Sequence, residues 1–228
     1  MCGRYTLTDP DPRILRLRFG LSEGVEIEDK PRFNIAPTDP VLAIRRTQEN
    51  ERDLGRLRWG LVPPGATPKR IGRPLINARA ESIDRQPAFR GPFAERRCLL
   101  PADGFYEWRV TENGKQPVWI SLPEGEMFSF AGLWAKARDD HGAELHSCTL
   151  ITTVPSEQMR PIHNRMPVIL PREAEAIWLD PEADLGQLRG LLRPREGLEI
   201  REVSDAVNDV RDDGPHLVEQ AQPEPRLF

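Results

Sequence analysis

Three short β-rich runs fill residues 97–122, RCLLPADGFYEWRVTENGKQPVWISL. The runs are Arg97–Pro101, Phe105–Val110 and Val118–Leu122. Runs of the same kind lie on both sides of this segment, at Val41–Arg45, Leu54–Leu61, Met127–Ala135, Leu145–Val154 and Met166–Leu170. So many short strands predict an antiparallel sheet or barrel.

Helical signals lie nearer the two ends of the chain. Residues 11–20 begin with Asp-Pro, continue with several apolar side chains and end at Gly20, which predicts a short helix. Helical patterns at Arg172–Leu179 and Ala183–Leu192 precede a last strand candidate, Leu198–Val203. Strands followed by helices, rather than alternating with them, predict an α+β fold.

The length of 228 residues fits one domain with a sizeable core. We expect a single domain over residues 1–210 and a tail over 211–228 that is partly ordered at best, because the tail is rich in Asp, Gly and Pro. The longest apolar runs are too short for a membrane span, and the N-terminus lacks the layout of a secretory signal. A cytoplasmic protein without a membrane partner is the expectation.

The three cysteines are Cys2, Cys98 and Cys148. Their number is odd, they are widely spaced, and the four histidines do not complete a zinc-binding pattern with them. We therefore expect no structural disulfide, no metal and no other cofactor.

Basic residues are concentrated early in a chain whose net charge is −4. Residues 1–109 hold 20 Lys and Arg against 15 Asp and Glu, whereas the remainder holds 12 against 21. The overall acidity argues mildly against a nucleic-acid partner, so any such contact must be local. The many arginines suit bidentate phosphate contacts; the alternative explanation for them is genomic base composition.

Cys2 follows the initiator directly, and removal of Met1 would give this cysteine a free α-amine beside its thiol. The amine titrates near ~8 and the thiol near ~8.5 in ordinary surroundings, so both have a nucleophilic fraction at neutral pH. Such a pair condenses with one aldehyde, first as an imine and then as a five-membered thiazolidine. The alternative is that a cysteine stands near the terminus by accident.

Three further positions have chemical potential and an ordinary alternative. If their segment is extended, Asn77 and Arg79 share one face, so Asn77 offers a hydrogen bond and Arg79 a phosphate contact. The alternative is that the segment is a solvated connector. Glu107 lies among aromatic residues, where burial would raise its pKa, but it also fits an exposed strand position. His163 suits proton donation near pH 7, yet a lone loop histidine is usually a surface residue.

These positions belong to a series of short motifs that runs from residue 1 to about residue 208. The chain strongly resembles the SOS-response-associated peptidase (SRAP) family in these motifs. They are Met1-Cys2-Gly3-Arg4-Tyr5, Phe33-Asn34-Ile35-Ala36-Pro37, Trp59-Gly60-Leu61, Ile76-Asn77-Ala78-Arg79-Ala80-Glu81, Arg97-Cys98-Leu99-Leu100-Pro101-Ala102, Gly104-Phe105-Tyr106-Glu107-Trp108, His163-Asn164-Arg165-Met166-Pro167 and Val203-Ser204-Asp205-Ala206-Val207-Asn208.

The resemblance implies an α+β fold around an antiparallel barrel-like core with peripheral helices. It also implies a sensor of abasic sites in single-stranded DNA, joined to the sugar aldehyde by a thiazolidine at Cys2. Glu107 would then assist imine formation, His163 would protonate the sugar ring oxygen, and Asn77 would hold the sugar. The DNA contacts it implies are Arg4, Asn34, Pro37, Arg79, Arg85, Phe89 and Arg165.

The same resemblance implies a weak lyase activity, removal of Met1 by the protein itself or by another enzyme, and a monomer that associates with the nucleoid at damaged DNA. A rival interpretation is an N-terminal-nucleophile or cysteine peptidase in which Cys2 attacks an amide and His163 or the α-amine acts as base. A third is a purely non-covalent binder of single strands.

Overall fold

The structure, a computed structural model, describes residues 2–23, 30–47, 51–112 and 114–221. The strands within these residues are β1 (Tyr5–Leu7), β2 (Arg32–Ile35), β3 (Pro40–Arg46), β4 (Arg52–Trp59), β5 (Asn77–Arg79), β6 (Arg97–Ala102), β7 (Gly104–Thr111), β8 (Gly114–Ser121), β9 (Phe128–Arg138), β10 (Glu144–Thr153), β11 (Met166–Pro167), β12 (Ile169–Leu170) and β13 (Glu199–Glu202).

The helices are short and lie around the strands. The α-helices are α1 (Pro12–Phe19), α2 (Pro68–Ile71), α3 (Pro87–Glu95), α4 (Glu175–Leu179) and α5 (Leu185–Gly190). Single 3₁₀ turns occupy Ala80–Ser82, Pro123–Gly125, Arg172–Ala174, Asp205–Asn208 and Pro215–Val218. None of the helices in the described ranges is long and apolar enough to cross a membrane.

Five strands close into a barrel in the order β10-β4-β3-β6-β9, because β9 pairs with β10 to complete the ring. Directions cannot alternate all the way round a ring with an odd number of strands. One neighbouring pair must therefore be parallel, and that pair is β4 and β10. The short strand β5 also pairs parallel with β10. The barrel is thus mixed, where the sequence predicts an antiparallel one.

A second sheet, in the order β13-β8-β7-β1-β2, is antiparallel throughout and packs on the barrel. Tyr5 of β1 joins the two layers, since its ring meets those of Trp59 and Phe130 edge-on at centroid distances of 5.2 Å and 5.6 Å. All three side chains are essentially inaccessible to solvent. Edge-to-face aromatic contacts of this kind add to the area that the rings bury, so they fix β1 relative to the barrel.

Most predicted elements are present with small shifts at their ends. The helix predicted at residues 11–20 is α1: Asp11 accepts a hydrogen bond from the Arg13 backbone N–H, and Gly20 ends the helix in the left-handed conformation. The predicted strand at Met166–Leu170 is divided into β11 and β12, which pair with different strands, β10 and β9.

The sequence did not predict β1, β2, β5, α2 and α3. The strands β1, β2 and β5 have only three or four residues, too few for a periodic pattern. Helix α3 contains Pro92, which masks a helical pattern. The Pro-rich segment from Val62 to Glu81, for which a solvated connector is the alternative given above, contains α2 and β5.

Residues 211–221, which the composition assigns to a partly ordered tail, are packed on the second sheet. The Asp213 carboxylate accepts hydrogen bonds from the Phe33 and Asn34 backbone N–H groups and pairs with Arg32 at 2.7 Å. Leu217 is fully buried. The rest of the predicted tail, residues 222–228, lies outside the described residues.

Candidate active site

Cys2 lies in the interior, where the chain enters β1. Its side chain is fully buried, and its thiol is 3.7 Å from the carbonyl oxygen of Arg4. Because β1 and β7 run antiparallel with Tyr5 opposite Phe105, the residues before Tyr5 continue alongside the part of β7 that contains Glu107. The pairing of these two strands therefore brings the first residues of the chain to Glu107.

Asp103 holds β1 in this position from the turn before β7. The Asp103 carboxylate accepts hydrogen bonds from the hydroxyl of Thr6 and from both the hydroxyl and the backbone N–H of Thr8. The carboxylate is 5 % exposed, and three donors satisfy it. Asp103 thus fixes β1, the strand that follows Cys2 in the chain.

Asn77 contacts Cys2 directly. The Asn77 Nδ2 donates a hydrogen bond of 2.9 Å to the carbonyl oxygen of Cys2. The side chain can reach this oxygen because β5 pairs with β10 and the next residue, Ala78, is buried on the opposite face. Asn77 Oδ1 is also buried and has no hydrogen-bond partner among the described residues. One half of the amide therefore positions Cys2 while the other remains an acceptor.

Glu107 is a buried carboxylate at 4 % exposure. Burial raises its pKa, and a positive charge on His163 acts in the opposite direction. Burial also raises the pKa of the Cys2 thiol, and the negative charge of Glu107 adds to that effect. The value of a thiol in ordinary surroundings therefore does not apply to Cys2, because its side chain is inaccessible to water and lies near a carboxylate.

His163 lies in the turn between β10 and β11 and is half-buried. Its Nδ1 is 3.0 Å from both the backbone N and the backbone O of Arg165. When the ring is neutral and Nδ1 accepts from the Arg165 N–H, the ring proton resides on Nε2. When the ring is protonated, Nδ1 donates to the Arg165 carbonyl instead. The same turn therefore supports both protonation states.

A groove of about 520 Å³ has Gly3 and Arg4, the two residues after Cys2, in its lining, but not Cys2, Asn77, Glu107 or His163. It is lined by Gly3, Arg4, Ala36, Pro37, Thr38, Asp39, Trp108 and Val210. Trp108 is fixed there, because its indole N–H donates a hydrogen bond of 2.8 Å to the side chain of Asn208. Two of the DNA contacts that the resemblance implies, Arg4 and Pro37, thus share one surface.

Arg4 is held by the protein as well as facing the groove. Its Nη1 donates to Asn34 Oδ1 at 2.8 Å and to the Val207 carbonyl at 2.7 Å. Asn34 is 1 % exposed, and its Nδ2 bonds the backbone carbonyls of Asp209 and Asp212. The structure therefore gives Asn34 a supporting position behind Arg4 rather than one on the groove surface.

The remaining predicted contacts have different surroundings. Arg79 and Arg85 are exposed, and Phe89 is buried at 8 % exposure in the core. Arg165 forms a two-pronged ion pair with Glu81 at 2.6 Å and 2.9 Å, and its Nη2 also donates to the Thr152 carbonyl. Its side chain is 11 % exposed, and the Glu81 carboxylate partly neutralises its positive charge.

Some residues of the site were not identified from the sequence. Three of them, Asp103, Trp108 and Glu81, lie inside or beside the motifs quoted above. Asp103 could have been noticed as a charged residue between two apolar runs. The backbone carbonyls within residues 207–212 that hold Arg4 and Asn34 could not be identified from the sequence, because every residue has a backbone carbonyl.

Comparison with known proteins settles the family. The model of the SOS response associated peptidase (SRAP) family matches residues 1–210. The chain belongs to this family. All four residues with implied chemical roles, Cys2, Asn77, Glu107 and His163, lie within the matched SRAP segment.

Several SRAP relatives are similar over most of their length. "Abasic site processing protein YoqW" of Bacillus subtilis (strain 168) is 43% identical over 224 residues, which cover 96% of this chain and 99% of that protein. "Abasic site processing protein HMCES" of Gallus gallus is 33% identical over 222 residues, covering 83% of this chain and 66% of that protein. A crystal structure of a Bacteroides thetaiotaomicron protein superposes with a TM-score of 0.85 at 25% identity, over 97% of this chain and 100% of that one.

Proposed function

We propose that this protein recognises abasic sites in single-stranded DNA and attaches itself to them covalently through Cys2. The observation that carries the proposal is the contact of Asn77 with the carbonyl oxygen of Cys2, in a site where Cys2 also interacts electrostatically with Glu107. The names of the relatives and the SRAP motifs support the choice of abasic DNA as the substrate.

The reaction needs the free α-amine of Cys2 and therefore a chain from which Met1 has been removed. The amine adds to the aldehyde carbon of the ring-opened sugar, and loss of one water gives an imine. The sulfur then adds to the same carbon while the thiol proton moves to the imine nitrogen. The product is a thiazolidine, and the net loss is one molecule of water.

The environment of Cys2 favours the amine as the first nucleophile. Burial and Glu107 both raise the pKa of the thiol, so the sulfur remains protonated at neutral pH. Glu107, whose pKa is itself raised, is a stronger base than an ordinary carboxylate. In the proposed sequence it accepts a proton from the amine, returns it to the departing water and later relays the thiol proton.

His163 and Asn77 act on the sugar in this proposal. His163 donates the proton of its Nε2 to the ring oxygen and thereby favours the open, aldehyde form. Asn77 Oδ1 accepts a hydrogen bond from a sugar hydroxyl, because this oxygen has no partner among the described residues. Arg4, Arg79, Arg85 and Arg165 contact phosphates, and Pro37 packs against a base beside the groove.

The imine stage gives a second outcome. An imine at the sugar C1 acidifies the neighbouring carbon, so a base can remove a proton there and eject the 3′ phosphate by β-elimination. Glu107 is the buried base available for this step. We include a slow lyase activity in the proposal on this basis.

A peptidase mechanism is less consistent with the site. A cysteine hydrolase needs a thiolate at neutral pH, and reactive cysteines reach it through a lowered pKa in a partly exposed, electropositive position. Cys2 is fully buried beside a carboxylate, and its pKa is raised. Cleavage of peptide substrates by the purified protein, other than loss of Met1, would restore the peptidase interpretation.

The deciding experiment is incubation of the trimmed protein with a single-stranded oligonucleotide that carries one abasic site, followed by denaturing electrophoresis. Mass spectrometry first checks the loss of Met1 from each variant. The expected result is a shifted band for the unaltered protein and for Cys98→Ala, the control, because Cys98 is buried in the barrel.

Cys2→Ser keeps the amine, so it should give an adduct only when borohydride reduces the imine. Cys2→Ala should behave in the same way, since it also lacks the sulfur. If the trimmed, unaltered protein leaves the abasic strand unlinked, or if Cys2→Ala gives a durable adduct without reduction, the proposal fails.

A further inference from the structure

We propose that the open end of the closed barrel, remote in sequence from Cys2, is a binding site for a multivalent phosphate anion. The cavity there has a volume of about 570 Å³. Its lining residues are Arg45, Arg46, Thr47, Asp53, Pro64, Arg96, Trp134, Lys136 and His146. None of these residues lines the groove formed in part by Arg4 and Pro37.

The strand order explains why these side chains meet. Arg45 and Arg46 end β3, Asp53 begins β4, and His146 begins β10. Trp134 and Lys136 lie in the last part of β9, which runs antiparallel to both β6 and β10. All of these positions fall at the same end of the barrel, so residues far apart in the chain form one ring. We call this ring, with Arg96 just before β6, the barrel mouth.

The charge of the barrel mouth is strongly positive in a chain that is acidic overall. Four cationic side chains, those of the three arginines and Lys136, face one lining carboxylate, Asp53. Two further carboxylates touch the rim: Glu95 contacts Arg96 at 3.1 Å, and Glu144 contacts His146 at 2.7 Å. Both are highly exposed, at 71 % and 69 %, so water screens them.

Arg45 is positioned in the mouth before any ligand arrives. Its guanidinium lies 4.8 Å from the centre of the Trp134 ring, and the side chain is only 16 % exposed. Its Nη2 contacts Asp53 at 3.3 Å, a long distance for an ion pair. The neighbouring strand makes room for it at Gly55, where a Cβ would lie 3.0 Å from this nitrogen. A fixed guanidinium loses little conformational freedom on binding an anion.

Arg96 lines the same cavity and has an unused donor. Its Nε is buried and has no hydrogen-bond partner in the described part of the chain. A buried N–H without an acceptor costs free energy, and a turn of the Arg96 side chain towards a bound anion would recover it.

The charge and geometry favour phosphate over a simple carboxylate. Planar guanidinium groups match the oxygens of phosphate in pairs. The lining has four cationic side chains and one carboxylate. A ligand with a single carboxylate would not neutralise this excess of positive charge. A second depression of about 510 Å³ shares Pro64 and Lys136 with the mouth and adds Arg138 and Glu144, so the two depressions together have room for more than one phosphate group. The phosphates can belong to a free phosphorylated molecule or to a nucleic-acid strand.

The test is calorimetric titration of the full chain with inorganic pyrophosphate. The variants are Lys136→Gln, on the exposed rim, and Arg45→Gln; Arg193→Gln, an exposed arginine outside the mouth, is the control. We expect each mouth variant to weaken pyrophosphate binding about tenfold, the equivalent of one charged hydrogen bond, and the control to leave it unchanged. Thermal melting shows whether Arg45→Gln is folded; Lys136→Gln does not alter the core.

Competition then separates the two sources of phosphate. If an undamaged single-stranded oligonucleotide displaces pyrophosphate, the mouth accepts a strand; if a nucleoside triphosphate displaces it and the oligonucleotide does not, the mouth accepts a free molecule. Absence of pyrophosphate binding, or binding that both mouth variants leave unchanged, overturns the proposal. Cys2→Ala should bind pyrophosphate normally, so this result is independent of covalent attachment at Cys2.

Discussion

Asn77 Nδ2 donates a hydrogen bond of 2.9 Å to the carbonyl oxygen of Cys2. These residues are far apart in sequence and belong to different parts of the fold: Asn77 lies on β5, attached to the barrel, and Cys2 leads into β1 of the second sheet. The bond therefore joins the two layers at the site where the proposed reaction occurs. Asn77 thus has a structural contact in addition to the chemical role proposed for it.

Asn77→Ala tests this double role. Loss of the bond should lower the free energy of unfolding by about 1 kcal/mol, which corresponds to about 2–4 °C in Tm for a chain of this size. Adduct formation with an abasic strand should slow about tenfold or more, because Cys2 loses its position and the sugar loses an acceptor. Gln86→Ala, which truncates an exposed amide at the start of α3, should change neither the Tm nor the rate. An unchanged adduct rate in Asn77→Ala would contradict the role proposed for this amide.

Glu107→Gln should stabilise the protein at neutral pH. The folded state raises the pKa of Glu107 through burial, so the folded protein binds this proton more tightly than the unfolded chain does. The contribution of Glu107 to the free energy of unfolding therefore falls as the pH rises from about 4.3, its pKa in the unfolded chain, through its higher pKa in the folded protein. The Tm of the variant should exceed that of the unaltered protein above this range, and the difference should shrink towards low pH.

The measurement for Glu107→Gln is a series of thermal melts against pH, with Glu199→Gln on exposed β13 as the control. The same variant should form the adduct more slowly, because glutamine cannot carry a proton between the reacting groups. A variant less stable than the unaltered protein at neutral pH would show that the charge of Glu107 is stabilising and would contradict this reading of its burial.

Arg18→Met should be severely destabilising. Arg18 forms two bonds of 2.7 Å with the carboxylate of Glu175, which is 2 % exposed and also accepts from Ser129. Removal of the cation leaves a buried carboxylate without its counter-ion, which costs about 3–5 kcal/mol and lowers the Tm by roughly 10 °C. Arg13→Met, in the same helix but with a side chain 88 % exposed, should lower it far less. Similar Tm values for the two variants would contradict the assignment.

Glu81→Gln should increase the affinity for undamaged single-stranded DNA. Glu81 partly neutralises Arg165, and its removal frees the guanidinium for a phosphate. The expected gain is about threefold, typical of one partly exposed ion pair. Arg165→Gln should lower the affinity and reduce the log–log salt slope by about 0.7, the contribution of one phosphate on a single strand.

Fluorescence anisotropy of a labelled oligonucleotide at several salt concentrations measures both variants. Glu182→Gln, which removes an exposed carboxylate elsewhere, separates a local effect from one of net charge. If Glu81→Gln and Glu182→Gln change the affinity equally, Arg165 is not a phosphate contact.

Local sequence was sufficient for the longer strands and for α1. The eight-residue helix has its cap, its apolar side chains and its closing Gly20 within ten consecutive residues, so nothing distant is needed to form it. Strands β3, β4 and β6 to β10 have six or more residues each and show their β-rich composition directly. Strands β1 and β5, which carry the residues around the site, are too short for such a signal and exist because β7 and β10 pair with them.

The sequence by itself determined the α+β class, the SRAP motifs and the choice of candidate reactive side chains. Those depend on composition and on residues close together in the chain. The tertiary structure decided the parallel pairing that closes a five-stranded ring, the burial that raises the pKa values of Cys2 and Glu107, and the positive barrel mouth. Each of these depends on which distant segments become neighbours, because solvent exclusion and Coulomb interactions follow distance in space rather than position in the chain.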